Sequence, residues 1–396
     1  MSSDIFTQLG VGEVVAEQLR TAAAAARQGD RGSAMTHAWL FTGPPGSGRS
    51  VAAVAFAAAL QCISPTLGCG QCEQCVAVRR NAHSDVLHIV PKTLSIGVEL
   101  MRDDVVVPAS KAPTVGRWRV VILDNADRLT TESANTLLKT VEEPPAHTVI
   151  IFCAPSDDPR DFIPTLRSRS RHVYIPQPTT KEVVELLGRQ GIAESVAQLA
   201  ATSTSNNIGR ARRLIEDVRA QQLRDETLNL AELIFHRDTA FQAVTAIIKN
   251  RTKAATENLD EENAAEVEQL RQALGMGARG KGVHKALQGS NKAIKDLEEV
   301  QKKRKTRAIR DMLDMGLTDL AGLYRDALIL ASGRENLMHP DKRHISEEVA
   351  AKVGAPGIVA CIDAVMDCRE KIAISVRPEA AFDAMVGKLR KAYRVH

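Results

Sequence analysis

The sequence predicts an α/β domain built on a parallel sheet and continued by helices to the end of the chain. Three observations predict it. Short apolar runs alternate with helical patterns up to about residue 175. A glycine-rich loop sits between one such run and a helix. Beyond Pro178 there are helical patterns and no further strand candidates.

The runs are Ala38–Thr42, Val86–Val90, Arg119–Leu123, Thr148–Phe152 and His172–Ile175. Each is of strand length and rich in Val, Ile, Leu or Phe, as strands covered on both faces are. Helical patterns such as Val51–Cys62 and Glu132–Glu143 separate them. In the second, Ala134, Leu137, Leu138 and Val141 share one face, and Pro144-Pro145 stops the helix. Pro176 and Pro178 end the last run, and Lys181 opens a helical stretch through about residue 235. The expected domains are therefore 1–176, a nucleotide-type fold; 177–235, a small helical domain; and 236–396, a second helical domain. A charged insert lies around 249–310, and its part from Arg279 to Arg310 holds eleven Lys/Arg against three Asp/Glu. Gly275–Gly282 reads as a flexible break within it. No repeat of fixed period is present.

At 396 residues, with 44% hydrophobic and 25% charged residues, the chain can form two or three globular domains. Aromatics make up 3%, which excludes base stacking as a dominant theme. A net charge of +4 permits an acidic partner without requiring one. The start, MSSDIFTQLG, lacks a basic segment followed by an apolar one, and Val51–Leu60 is too short to span a bilayer. A cytoplasmic protein with no membrane partner is expected.

Gly43–Ser50, GPPGSGRS, fits the phosphate-binding pattern GxxxxGK[ST] except at Arg49. Gly43, Gly46 and Gly48 let backbone N–H groups turn toward a phosphate at the N-terminus of the following helix. Ser50 would face a magnesium ion. Arg49 keeps the lysine's charge, but its planar fork is not a compact ammonium. The run Arg119–Leu123 leads into Asp124, the acid that such a fold places near magnesium. Asn125 follows where a water-activating glutamate is usual, and an amide cannot accept that proton. Asp127 is a poor geometric substitute. ATP with magnesium is thus possible in this site but doubtful.

Cys62, Cys69, Cys72 and Cys75 crowd into fourteen residues. In a reducing compartment that spacing favours a closed, structural zinc site over disulfides. The blander alternatives are reduced cysteines in a loop, or a redox CxxC pair, which the overlap of two pairs disfavours. Cys153, Cys361 and Cys368 read as core residues. From spacing alone, Arg169 in Pro164–Ser170, PTLRSRS, reads as a surface arginine in a salt bridge, with reach to a phosphate held by a neighbouring subunit as the alternative.

These motifs together resemble the bacterial DNA polymerase III clamp-loader family, AAA+ proteins that open and load the sliding clamp. The carrying segments are GPPGSGRS, CISPTLGCGQCEQC (62–75), HSD (83–85), VVILDNADRLT (120–130), ANTLLKTVEEPP (134–145) and PTLRSRS. They cover about residues 1–215. Within the family the pattern resembles the delta-prime subunit more than the tau/gamma motor. The resemblance implies a P-loop AAA+ domain with a zinc module, a helical lid and an all-α collar. It also implies that Arg169 is an arginine finger acting in trans on a neighbour's ATP, that Ser156 lies near the sensor-1 position, and that Arg210, in NNIGRAR, lies near sensor 2. The implied partners are the tau/gamma motor, the clamp-opening delta subunit, the sliding clamp and, through the complex, primed DNA. Arg49 and Asn125 depart from the family's active pattern and leave the finger intact, and Ser170 stands in place of a cysteine. Two rival readings remain: an active AAA+ motor, and a zinc-stabilised DNA-binding adaptor whose basic stretch touches DNA.

Overall fold

The structure is a computed structural model, and it describes residues 4–29, 34–236, 239–274 and 283–395. The break expected at Gly275–Gly282 falls outside these residues. By its contacts the chain divides into two compact units: Met1–Gly191 with Asn206–Gly209, and Ile192–Ser205 with Arg210–His396.

The first unit opens with α1 (Ile5–Leu9) and α2 (Glu13–Gln28). It continues with β1 (Ala38–Thr42), α3 (Arg49–Gln61), α4 (Glu73–Arg79) and β2 (Val86–Ile89). Next come α5 (Val98–Leu100), a π-turn (Met101–Val106), α6 (Val107–Ala109), β3 (Arg119–Leu123) and α7 (Thr131–Glu142). The unit closes with β4 (Thr148–Ala154), α8 (Pro164–Arg167), β5 (Arg171–Tyr174) and α9 (Thr180–Gly188). The five strands form one sheet in the order β2-β3-β4-β1-β5, and every pairing is parallel. Strands that run the same way need crossovers, and the helices supply them.

Period two along each strand divides the core. Trp39, Phe41, Val120, Ile122, Val149 and Ile151 pack with Phe56 of α3 and Leu19 of α2. Leu40, Val121, Leu123, Ile150 and Phe152 pack with Leu137 and Val141 of α7 and with Met101 and Val105 of the π-turn. Helix α3 is alanine-rich and buried along most of its length, so packing and propensity both favour it. In α7, Thr130 accepts the Ser133 N–H at 3.2 Å and so caps the first turn.

One buried carboxylate organises the approach to β3. Asp85, 0% exposed, accepts N–H groups from Thr114, Val115 and Gly116 at 2.7–2.8 Å. Burial alone would raise its pKa, but these bonds and the Thr114 hydroxyl outweigh it and hold the carboxyl at about 2. A depressed pKa contributes stability above the unfolded value, near 4, and loses it as pH falls toward 2. We expect wild type to lose about 2 kcal/mol more than Asp85→Asn between pH 4 and pH 2, read from denaturant midpoints at each pH. Equal losses would show that Asp85 does not carry this linkage.

The second unit is helical: α10 (Glu194–Ser203), α11 (Ile208–Glu216, from Arg210 on), α12 (Val218–Leu233) and α13 (Thr239–Ala273). After these come α14 (Val283–Ala331), α15 (Arg343–Ala373) and α16 (Pro378–Ala392). Leu320, Leu323, Tyr324, Ile358, Val365, Phe382 and Leu389 form its core. Pro340–Ala373 is long and apolar enough to cross a membrane by composition alone. Yet Ile345, Val349, Ile358, Cys361 and Val365 from it are core residues, and Gly354 breaks its helical path at φ 72°, ψ 160°. The charged insert is helical where described. Acidic residues of α13 face basic residues of α14: Glu266 meets Arg304 at 2.8 Å and Asp260 meets Lys305 at 2.9 Å. These cations of the basic stretch therefore have partners on the adjacent helix.

Candidate functional site

The carboxyl ends of the central strands face one edge of the sheet, where ligands of open α/β folds bind. β1 ends at Thr42 and delivers Gly43–Ser50 to the N-terminus of α3. β3 ends at Leu123 and delivers Asp124. β4, between them, delivers Pro155 and Ser156, and the Gly43 N–H donates to Pro155 O at 3.1 Å. The loop's shape depends on glycine at Gly46: its φ is +89°, and a Cβ there would lie 2.5 Å from the Asn207 side chain.

Asp124 is the best-held group of the site. Ser50 Oγ donates to its Oδ1 at 2.5 Å. His88 Nε2 lies 2.7 Å from its Oδ2, and the buried Cys153 thiol also favours its ionised form. Burial pushes the carboxyl up, but His88 and Ser50 outweigh that and leave it below the usual range. Burial keeps the Cys153 thiol protonated. Asn125 follows in the left-handed region, φ 50° and ψ 47°, which asparagine tolerates better than most residues. Asp127 is pushed up by burial, against the pull of Arg128 and Arg49.

Two polar atoms of the loop, Ser47 Oγ and Arg49 Nη1, are buried without a hydrogen-bond partner. Both can donate, so a phosphate oxygen would satisfy them. The residues thus fit a phosphate group, with Ser50 and Asp124 placed for a divalent cation. They do not supply a base after Asp124.

Ser156 uses its hydroxyl locally, donating to Asp161 Oδ2 at 2.6 Å. Arg169 follows α8 at the surface, 39% exposed at its side chain, with Nη2 2.6 Å from Glu142 Oε1. Its Nη1 donates to Thr165 O at 2.8 Å and to Ser168 Oγ at 3.3 Å. Arg210 belongs to the second unit, where it pairs with Asp319 at 2.6 Å. Sequence reasoning named neither His88 nor Glu142 as a site residue. His88 carries no motif of its own, and Glu142 stands inside the helix signature ANTLLKTVEEPP as an ordinary surface acid.

The four cysteines come together between α3 and α4. Their sulfurs lie within 4.8 Å of one another, with Cys62–Cys69 at 3.8 Å and Cys62–Cys72 at 4.0 Å. A tetrahedral ion with bonds of about 2.3 Å needs sulfurs about 3.8 Å apart, so this set could hold a metal ion. Burial raises the Cys69 thiol, but N–H groups of Gln71 and Cys72 outweigh it and bring it to about 6, while burial pushes Cys75 up. The connecting loop needs glycine at Gly68, with φ +62° and a Cβ position 3.0 Å from Ile5. Arg27 ties the loop down through the carbonyls of Cys62, Ser64 and Pro65.

Residues 20–179 match the family model described as "DNA polymerase III, delta subunit". The gamma/tau subunit of Mycobacterium tuberculosis is 39% identical over 144 residues, 35% of this chain and 24% of the relative. The delta' subunit of Pseudomonas aeruginosa is 32% identical over 193 residues, 47% of this chain and 58% of the relative. The tau subunit of Bacillus subtilis is 24% identical over 365 residues, 89% of this chain and 57% of the relative. The chain thus spans less than two thirds of the length of each of these relatives. Residues 20–179, with the sheet, the glycine-rich loop and the cysteine cluster, match the DNA polymerase III clamp-loader family.

Proposed function

We propose that this chain is a delta-prime-type clamp-loader subunit that lends Arg169 to ATP held by a neighbouring motor subunit and hydrolyses little ATP itself. The observation that carries the reading is Asn125, set in a left-handed turn directly after Asp124. At that position no side chain accepts the proton of an attacking water. Ser50 and Asp124 would hold magnesium, and Arg49 with the loop N–H groups would hold phosphate. A bound magnesium–nucleotide would supply charge neutralisation at the phosphates. The chain's own residues would then orient that nucleotide without activating water.

In this reading Cys62, Cys69, Cys72 and Cys75 hold one structural zinc. Residues 177–235 act as the lid and 236–396 as the collar. Ser156 lies near the sensor-1 position in sequence and Arg210 near the sensor-2 position. The partners are the tau/gamma motor, the delta subunit, the sliding clamp and primed DNA, all in the cytoplasm. The purified chain with ATP and magnesium is expected to show negligible turnover, while the reconstituted complex loses activity when this chain is omitted. Rapid turnover by the chain alone, abolished by Ser50→Ala or Asp124→Asn, would sink the proposal.

That outcome would favour the second reading, an active motor. The 39% identity to gamma/tau relatives, higher than to the delta' relatives, supports it.

A further inference from the structure

Two separate signatures of the sequence meet at a single ion pair. Glu142 is the last residue of α7, in the stretch TVEEPP, and Arg169 follows α8, in the stretch PTLRSRS. Glu142 Oε1 lies 2.6 Å from Arg169 Nη2. On the other arm of the guanidinium, Nη1 donates to Thr165 O at 2.8 Å and to Ser168 Oγ at 3.3 Å. Both arms of the fork are therefore fixed, one by a carboxylate and one by the turn that carries the arginine.

The support beneath Glu142 is rigid. Val141, beside it, is 1% exposed in the sheet core. The Glu143 N–H still bonds to Lys139 O at 2.9 Å, and Pro144-Pro145 prevents the helix from continuing. The turn carrying Arg169 is closed by Ser170 Oγ, which donates to Leu166 O at 2.8 Å, with Leu166 fully buried. A long arginine side chain on a surface ordinarily samples many rotamers. Here two anchored elements select one.

A pair this exposed contributes little to stability, because water screens it. Its use lies in geometry. A guanidinium that stabilises charge developing on a transferred phosphoryl group must already stand in place when that charge appears.

We propose that Glu142 is a positioning residue for Arg169, holding the guanidinium in the orientation in which it is presented to a nucleotide on an adjoining subunit. This inference rests on the proposed trans-acting role of Arg169. The carboxylate works as a hydrogen-bond acceptor at a fixed point. Glutamine, whose amide oxygen can occupy the same point, therefore substitutes for it, and alanine does not.

The test uses the complex reconstituted from full-length subunits. Single-turnover ATP hydrolysis separates the phase belonging to the site beside this chain. Glu142→Ala is expected to slow that phase about five- to tenfold, the size of a coupling between contacting groups, without changing the KM for ATP. Glu142→Gln is expected to stay within about twofold of wild type. In an Arg169→Ala background, Glu142→Ala should have no further effect. Equal rates for Glu142→Ala and wild type, with Arg169→Ala slow, would overturn the inference while leaving the finger in place. So would a Glu142→Ala loss that persists without Arg169, or one that glutamine fails to rescue. If Arg169→Ala itself proves as fast as wild type, the proposed function falls and this inference with it. Co-purification and melting of each variant check that the fold and the assembly are intact.

Discussion

Arg169→Ala is expected to slow ATP hydrolysis at the adjoining site of the assembled complex by roughly 10³–10⁵, the contribution of a trans-acting arginine in phosphoryl transfer. The loss should appear in kcat with little change in KM, because the guanidinium stabilises charge that develops only in the transition state. The variant should fold and assemble normally. Arg169 is 39% exposed, and its ion pair with Glu142 sits at the surface, where such pairs are worth up to about 1 kcal/mol. Arg169→Lys is a sharper control. It keeps the charge and loses the planar fork, so partial activity is expected from it. Phosphate-release measurements on the complex check both variants, and undiminished turnover by Arg169→Ala would remove the assignment.

Loss of metal should have the largest effect on the fold. We expect the purified chain to carry about one zinc and to lose local structure between α3 and α4 when the metal is chelated. Closed thiolate sites contribute roughly 10–16 kcal/mol of apparent folding free energy in isolated peptides. Cys62 and Cys75 are buried, at 1% and 0% exposed, so their release without a metal leaves sulfurs crowded with no ion to bind them. Cys69→Ser combined with Cys72→Ser should lower the melting temperature and abolish metal binding. Elemental analysis and thermal melts with and without chelator check this. A metal-free chain with an unchanged melting curve would show that the cysteines pack without a cation.

The sheet was legible because both of its faces are covered. Buried parallel strands have to be runs such as Arg119–Leu123 and Thr148–Ala154, and the expected limits differ from the observed ones by at most two residues. The phosphate loop and the cysteine cluster were legible because each is local in sequence. What stayed hidden depends on distant pairing. The strand order places β4 between β1 and β3, and no run of residues announces that. His88 and Asp124 meet across thirty-six positions because β2 pairs with β3. Asp85 stands inside the motif HSD, but its work on residues 114–116 appears only once the chain returns to it. The insert between 249 and 310 read as an interruption because its charges separate by helix. The acids of α13 and the bases of α14 offset each other only when the two helices lie side by side.

The Ile5 N–H bonds to Gly68 O at 2.7 Å, and Gln8 Nε2 reaches Cys69 O at 3.4 Å. A helix of five residues such as α1 has too few internal bonds to hold itself. Its order is borrowed from the core in which Ile5 and Phe6 are buried and from the cysteine loop some sixty positions along. The Ile5 amide is therefore a gauge of that loop, and if the four cysteines hold an ion, exchange there would register its departure without any probe placed on the sulfurs.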